Sequence, residues 1–235
     1  MTIKFNKNKT YTLLYQLHKM KIMLYFLIVF CVFNNVLISF GYAEDLHDLN
    51  TFINHVRYQM RCGREQALDL IYRITMFTEA IQTEIEYLAS SNDNLDIKNQ
   101  KVNYVINRFF ESRSSIVQVS SKYSSKLTNW AVDTYLRRIA KMNRYKYTKV
   151  ELEFDQSYLG YGAIEKINSH NYEVSVSMWQ IFKAYYGDNI AYQDATRKKF
   201  RLNINTINDE IRINQVAVAE TVDLERFGRI IKSNF

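Results

Sequence analysis

Polar residues capable of acid–base chemistry alternate along a stretch near the carboxy terminus. Tyr192, Asp194 and Thr196 are spaced two apart, so they share one side of an extended strand. That side continues into apolar residues at positions 200, 202 and 204, which indicates that it faces the core. A carboxyl group held among apolar side chains has a raised pKa and can serve as a general base. The pattern therefore makes Asp194 and Tyr192 a candidate acid–base pair.

Asp194 also has a structural interpretation, which we prefer on the sequence alone. A carboxylate near the edge of a sheet is solvated, and Lys198 shares its side of the strand and could pair with it. No histidine and no second acid shares that side, so a carboxylate dyad is not indicated. The sequence leaves catalytic residues unassigned.

Cysteine and histidine do not form a metal-binding or nucleophilic pattern. If the amino-terminal segment is removed, Cys62 is the remaining thiol and makes no internal disulfide. It lies beside Gly63, where we expect a break between two helices. No two of these residues have the spacing of metal ligands on one surface. We therefore predict no metal site and no cofactor.

A second group of residues suggests a binding surface on the opposite face of the sheet. Trp179 alternates with Met178, so the two point to opposite faces, and Ile181 and Tyr185 share the side of Trp179. An exposed aromatic and aliphatic patch is typical of a protein-binding surface. We predict that this patch contacts a protein partner or a second copy of the chain. Cross-strand packing is the preferred explanation for the many other tyrosines in this half.

The spacing of apolar residues along the chain changes near residue 147, which shows where helices give way to the strands that carry these side chains. Apolar residues recur with helical spacing over residues 45–88, with a break at Cys62–Gly63, and again over 96–111 and 130–142. Residues 115–121 predict a short strand, and 124–129 a polar connection. From residue 147 the period is two, with a strand at 147–155, another beginning at 160, and turns at 168–171, 186–189 and 208–210. The apolar side switches near Asn214, which predicts a bulge.

These patterns predict an α+β fold with amino-terminal helices packed on a strongly curved antiparallel sheet. A strand of about 15 residues would extend for about 50 Å, so it must twist and bend to cover a compact core. A curved sheet has a concave face, and the preceding helices can fill it.

The amino terminus has the parts of an export signal. Lys19 and Lys21 precede an apolar run at 22–33, and Gly41 and Ala43 provide small residues before a cleavage site at Glu44. We expect residues 1–43 to be a cleaved signal peptide. The alternative is an uncleaved anchor at 22–42, which would place two adjacent asparagines inside the membrane.

The charge distribution argues against a nucleic-acid partner. The net charge is +7, but five of these charges come from lysines within residues 1–43, where no acid occurs. The remainder has an ordinary mixed surface. Membrane contact is expected only if the amino-terminal segment stays uncleaved.

The order of elements resembles the NTF2-like superfamily, whose SnoaL-like members form a cone. It also resembles a group of uncharacterised exported bacterial proteins of that fold. The shared motifs are YLRRI at 135–139, the segment 147–151, and a strand with Tyr192, Asp194, Thr196 and Lys198. The resemblance covers 96–222, which leaves 44–90 as a helical extension and 223–235 as a tail. From Leu224 we expect this tail to be a short polar helix or frayed. It implies a ligand pocket inside the cone, and the residues that we expect to line it are Tyr172, Met178, Tyr192 and Asp194.

The sequence alone favours an exported, non-catalytic binding or assembly module of the bacterial cell envelope, in the periplasm or at the cell surface. One alternative is a small-molecule enzyme that uses the cone pocket for acid–base chemistry. Another is a membrane-anchored periplasmic scaffold that resembles subunits of type IV secretion systems.

Overall fold

The computed structural model describes residues 49–233, without the side chains at 125, 144–145, 156–158 and 233. The segments predicted as signal peptide or anchor lie outside the described residues. No helix within 49–233 combines the length and the apolar character that a membrane crossing requires.

The described residues form five helices and six strands, arranged in the predicted α+β order. The helices are α1 (Leu49–Met60), α2 (Arg64–Ser90), α3 (Leu95–Phe109), α4 (Val132–Tyr145) and α5 (Leu224–Ser233). The strands are β1 (Ile116–Ser121), β2 (Ser124–Ala131), β3 (Lys149–Lys166), β4 (Asn171–Tyr186), β5 (Asn189–Asn205) and β6 (Glu210–Val222).

The sheet is open and curved, with the strand order β2-β1-β6-β5-β4-β3. Neighbouring strands are antiparallel except β1 and β6, which are parallel. Strands β4 and β5 have 16 and 17 residues, so the predicted long ribbon is confirmed. The predicted bulge is confirmed too, because Arg201 pairs with Gln215 while Leu202 pairs with Ile213, which leaves Asn214 as the extra residue.

Two strand predictions were wrong. Residues 147–155 and the segment after 160 form one strand, β3, because register shifts at 155–160 and 161–164 let the chain continue along β4. The predicted polar connection at 124–129 belongs to β2, which pairs with β1 from Ser124 to Ala131. Hydrogen bonds to a neighbouring strand stabilise β2, and they leave no apolar period in the sequence.

A large hydrophobic core joins the helices to the concave face of the sheet. Val176 and Phe200 on the sheet are buried in the same cluster as Phe52 of α1 and Ile74 of α2. The Phe52 ring stacks on Tyr161 of β3 with centroids 4.7 Å apart. Helices α1 and α2 are therefore part of the core of the cone, although the sequence resemblance begins only after them.

The carboxy-terminal helix covers part of the opposite, outer face of the sheet. Phe227 of α5 packs on Trp179 with ring centroids 5.1 Å apart, and Trp179 is 4% exposed. The prediction of an exposed Trp179 patch was therefore wrong. The sequence predicts a short polar helix or a frayed tail from Leu224, and the helix is what the structure shows. It is not polar throughout, because Leu224, Phe227 and Ile230 form an apolar stripe that packs against this face.

Candidate functional site in the cone cavity

A cavity of about 250 Å³ lies inside the cone, between the inner side of the sheet and α4. We call it the cone cavity. Most of its polar lining residues come from β1 and β5, and the rest of the lining is mainly apolar, with Gln180 and Lys146 as polar exceptions. Its lining residues are Val119, Ser120, Ser121, Trp130, Tyr135, Ile139, Met142, Lys146, Tyr147, Leu152, Gln180, Phe182, Tyr192, Asp194, Thr196 and Lys198.

Asp194 is buried at the polar side of this cavity and is 5% exposed. Burial raises the pKa of its carboxyl group, and the hydrogen bond from Tyr192 and the charge of Lys198 offset only part of that rise. The interpretation of Asp194 as a solvated edge residue was therefore wrong. The long β4 and β5 strands and the covering helix place it inside the cone.

Tyr192 connects Asp194 to strand β1. Its hydroxyl donates a hydrogen bond to Asp194 Oδ2, lies 3.1 Å from Ser121 Oγ, and accepts one from the backbone N–H of Lys122 at 3.2 Å. Burial, together with the bond to Asp194, raises the pKa of the phenol to about 12. Tyr192 therefore stays protonated near neutral pH and can donate a hydrogen bond.

Lys198 places a buried amine in the same cavity. Its side chain is on the inward side of β5, and the Nζ atom donates a hydrogen bond to the Gln118 backbone oxygen at 2.9 Å. The centroid of the Tyr135 ring of α4 lies 6.0 Å from Nζ. Burial lowers the pKa of Lys198 to about 8, although the charge of Asp194 acts in the opposite direction. An amine with a pKa near 8 is neutral in roughly a tenth of molecules at pH 7.

Hydroxyl groups complete the polar side of the cavity. Thr196 Oγ1 lies 3.1 Å from Thr221 Oγ1, which in turn bonds to the Ser120 hydroxyl. These bonds link β5 to β6 and β1 across the cone. The opposite walls come from Trp130, Leu152 and other apolar residues. The arrangement can hold a mainly apolar molecule with one polar group directed at Asp194, Tyr192 and Lys198.

Only two of the four residues that we expected to line the pocket border the cone cavity. Tyr192 and Asp194 line the cone cavity, whereas Tyr172 and Met178 do not. Tyr172 borders a different depression, near Cys62 and the end of α1. Met178 is fully buried in the core, with its sulfur 2.7 Å from Gln82 Nε2. All four share the inward side, but the sequence does not show how deep each lies along a curved sheet.

Sequence reasoning missed Lys198 as a functional candidate. It considered Lys198 only as a partner for Asp194, although Lys198 lies on the inward side between Thr196 and Phe200. A lysine at an inward position of a long apolar strand was the available signal. Tyr135 and Trp130 could not have been placed in the site, because they come from other elements.

The outer-face residues predicted as a partner surface have partners within the chain. Trp179 and Ile181 pack against the cluster beneath α5, and the Tyr185 hydroxyl donates to Glu151 at 2.7 Å. Two arginines on this face also have acidic partners within the chain. Arg197 pairs with Glu220 at 3.6 Å, and Arg201 pairs with Glu173 at 3.3 Å.

Within the part of the chain that the structure describes, no three or more His, Cys, Asp or Glu side chains come close enough to hold a metal ion.

No protein-family model matches the sequence, and no curated protein matches it. Among solved structures, a scytalone dehydratase-like protein of Novosphingobium aromaticivorans aligns at 10% identity over 66% of this chain and 89% of its own, with a TM-score of 0.35. The protein Aln2 of a Streptomyces species aligns at 10% identity over 64% and 89%, with a TM-score of 0.36. Kfla4162 of Kribbella flavida aligns at 12% identity over 62% and 95%, with a TM-score of 0.34.

The element order and the curved, open sheet of this chain are those of the predicted α+β fold.

Proposed function

We propose that the protein binds a compact, mainly apolar organic molecule in the cone cavity and exchanges a proton with it through Asp194. The observation that carries this proposal is the presence of a buried carboxyl group, a phenol and an amine on one side of a cavity with apolar walls. A core that served only for stability would gain little from ionisable groups beside a cavity, because burying a charge is costly.

The size and lining of the cavity restrict the ligand. Small-molecule sites commonly have volumes of about 300–1,000 Å³, so a cavity of about 250 Å³ suits a small molecule. Trp130, Leu152 and Phe182 provide flat or aliphatic contact area. We infer a ligand with one hydroxyl or carbonyl group and a body of about one or two rings.

The chemistry of the polar side favours proton transfer. A carboxylate whose pKa is raised by burial is a stronger base than an exposed one and can accept a proton from a bound molecule near neutral pH. Tyr192 and Lys198 are donors that can stabilise negative charge on a ligand oxygen. The residues that we assign are Asp194 as the base, and Tyr192 and Lys198 as donors.

A protein-assembly role through the outer face has less support, because α5 already covers Trp179 and Ile181. A homodimer through that face stays a prediction. Light scattering on the purified chain would measure its oligomeric state, and a monomer at high concentration would contradict it.

Fluorescence can test the ligand-binding proposal. The chain has two tryptophans, and Trp130 lines the cavity while Trp179 lies under α5. In a Trp179→Phe variant, small aromatic phenols and ketones should change the Trp130 emission in a saturable way. Asp194→Asn should weaken binding of phenols by about tenfold, the value of one hydrogen bond to a charged group.

Filling the cavity supplies the matched control. Ile139→Trp should abolish binding while leaving the circular dichroism spectrum of the fold unchanged, and the change Tyr58→Trp at an exposed position should not abolish it. The proposal fails if no compound of either class binds saturably, or if the filled variant binds as well as the parent.

We also propose that the protein is exported, on the basis of the amino-terminal apolar segment. Mass spectrometry of the chain from its native host should show a mature start at Glu44 in a periplasmic or secreted fraction. An intact amino terminus in the membrane fraction would favour the anchor instead, and an intact chain in the cytoplasm would contradict export.

A further inference from the structure

We propose that Lys198 captures a small apolar aldehyde or ketone as a Schiff base inside the cone cavity. This inference rests on the proposed ligand-binding function, and it identifies the ligand class and the atom that reacts. The observations that carry it are the position of the amine in the cavity wall, its surroundings, and the acid pair on the same strand.

The first observation is the position of the amine. Lys198 is 4% exposed and lies in the wall of the cavity, so a molecule bound there lies beside its side chain. The amine donates a hydrogen bond to a backbone carbonyl oxygen, that of Gln118. A carbonyl acceptor orients the amine without holding it in the charged form as strongly as an ion pair would.

The second observation is the burial of the amine, which decides its protonation. Only a neutral amine is nucleophilic, and an exposed lysine is almost wholly protonated at neutral pH. Burial lowers the pKa of Lys198 to about 8. The neutral fraction at neutral pH is therefore larger by about two orders of magnitude than that of an exposed lysine.

Other ionisable groups face the cavity and bear on this titration. The charge of Asp194 on β5 raises the pKa of Lys198 and is the opposing influence named above. The lining segments of β1, β3 and β4 contribute no acidic or basic side chain. The remaining ionisable lining residues, from α4, the segment after it and β5, are Tyr135, Lys146, Tyr147 and Tyr192.

The third observation is an acid pair that can complete the reaction. The neutral amine forms a C–N bond to the carbonyl carbon, and its proton passes to the carbonyl oxygen to give a carbinolamine. Tyr192, which is hydrogen-bonded to Asp194, supplies a proton to the carbinolamine hydroxyl, the C–O bond breaks, and one water leaves. The nitrogen then gives its remaining proton back to the Asp194–Tyr192 pair, which restores the pair and leaves a neutral imine. The products are one imine and one water, so the step needs no oxidant or reductant.

The apolar walls select among carbonyl compounds. Trp130, Ile139, Leu152 and Phe182 exclude strongly hydrated carbonyl compounds such as sugars, because their hydroxyl groups would lose hydrogen bonds to water. Aromatic aldehydes and medium-chain alkanals suit these walls. Benzaldehyde and hexanal are therefore suitable probes.

Reductive trapping tests the inference on the full chain. The protein is incubated with benzaldehyde and sodium cyanoborohydride, and the modified lysines are located by peptide mass spectrometry. We expect Lys198 to be labelled at least about tenfold faster than the median lysine at pH 7, because its neutral fraction is larger. The labelling rate at Lys198 should level off above about pH 8, whereas that of exposed lysines should continue to rise.

Variants separate a specific reaction from general modification. Lys198→Arg keeps the charge and should lose the rapid phase, whereas Lys199→Arg changes the adjacent residue outside the cavity lining and should keep it. Each lysine variant is also made together with Trp179→Phe. The Trp130 emission of these double variants then reports whether benzaldehyde still enters the cavity. Lys198→Met serves as a second variant if the arginine does not fit.

The outcomes distinguish the two proposals. Saturable binding at Trp130 without rapid labelling of Lys198 overturns the Schiff-base inference and leaves the ligand-binding proposal in place. Uniform labelling of all lysines also overturns the inference. If neither the carbonyl probes nor the phenols bind, both proposals fail.

Discussion

Two lysines are buried within residues 49–233, and they differ in how their charges are compensated. Lys98 of α3 is 1% exposed and Lys198 of β5 is 4% exposed. The Lys98 amine donates to the backbone oxygens of Leu88 and Ala140 at 3.0 and 3.3 Å and to Asn143 Oδ1 at 3.1 Å. The Lys198 amine donates to one backbone oxygen, that of Gln118.

The comparison shows that burial alone does not define the role of a lysine. Leu88 and Ala140 lie near the carboxyl ends of α2 and α4, where backbone carbonyls carry partial negative charge. Three acceptors match the three donors of an ammonium group, so the hydrogen bonds of Lys98 join α2 to α4. Lys198 is buried beside a cavity with one hydrogen bond, and this burial favours the neutral, reactive amine.

Replacing the structural lysine, Lys98, should have the largest effect, which is a loss of stability. Lys98→Met should lower the free energy of unfolding by about 3 kcal/mol, because it removes the donor to two buried backbone oxygens and to the part-buried Asn143 Oδ1. Urea denaturation followed by circular dichroism measures the change. Lys198→Met is the matched variant and should differ from the parent by no more than about 1 kcal/mol at pH 7, since it replaces a poorly compensated buried charge.

Equal losses in the two methionine variants would contradict the distinction between a structural and a reactive lysine.

The pH dependence of stability should differ between the parent and the Lys198→Met variant. The pKa of Lys198 is about 8 in the folded chain and near 10.5 when unfolded. Below pH 8 the amine is charged in both states, and the folded state bears the full cost of burying it. As the pH rises from about 8 to 10.5, that cost disappears, so Lys198 should make the protein relatively more stable.

Denaturation of the parent and of Lys198→Met at several pH values measures this contribution as a difference, which removes the titration of other groups. The free-energy gap between them should change in favour of the parent as the pH rises from about 8 to about 10.5. A gap that stays constant would show that the pKa of Lys198 is not shifted.

Removing the carboxyl charge of Asp194 should increase the difference between Lys198 and Lys98. The charge of Asp194 raises the pKa of Lys198, so Asp194→Asn should lower that pKa and move the pH midpoint of Lys198 labelling downward. Asp188→Asn, in the exposed turn between β4 and β5, is the control and should leave the midpoint unchanged. An upward shift of the midpoint in Asp194→Asn would contradict the assigned interaction.

The smallest effect is expected at Tyr192. Tyr192→Phe removes a hydroxyl that bonds to Asp194 and Lys122, so the free energy of unfolding should fall by about 1 kcal/mol. The pKa of Asp194 should rise, because that bond lowers it. Titration of Asp194 by NMR gives the pKa, and Tyr186→Phe at an exposed position is the matched control. A lowered pKa would contradict the assigned bond.

The sequence predicted the elements whose signals are local. Changes in the spacing of apolar residues, or residues that permit unusual backbone conformations, predicted three of them. These are the helix break at Cys62–Gly63, the turn at Gly187 and the bulge at Asn214. It did not predict β2, whose pairing with β1 leaves no apolar period in the sequence. It also misjudged Trp179, because the side that a strand presents does not show which later helix will cover it.

In the candidate site, too, some features could be predicted from the sequence and others depend on the tertiary structure. The inward side of Tyr192 and Asp194 was readable from a period of two, since side chains alternate across any strand. The burial of Asp194 and the low pKa of Lys198 depend on α4 and β1, which fold over the end of the strand.

The sequence by itself determined the order of the helices and of most strands, the curvature of the long antiparallel strands and the side of those strands that faces inward. These properties follow from backbone periods and turns within a few residues. Only the tertiary structure decided which inward residues border a cavity and which are packed in the core, and which buried lysine is fully hydrogen-bonded. Those properties depend on distances between residues far apart in the chain, and desolvation and hydrogen bonding act through such distances.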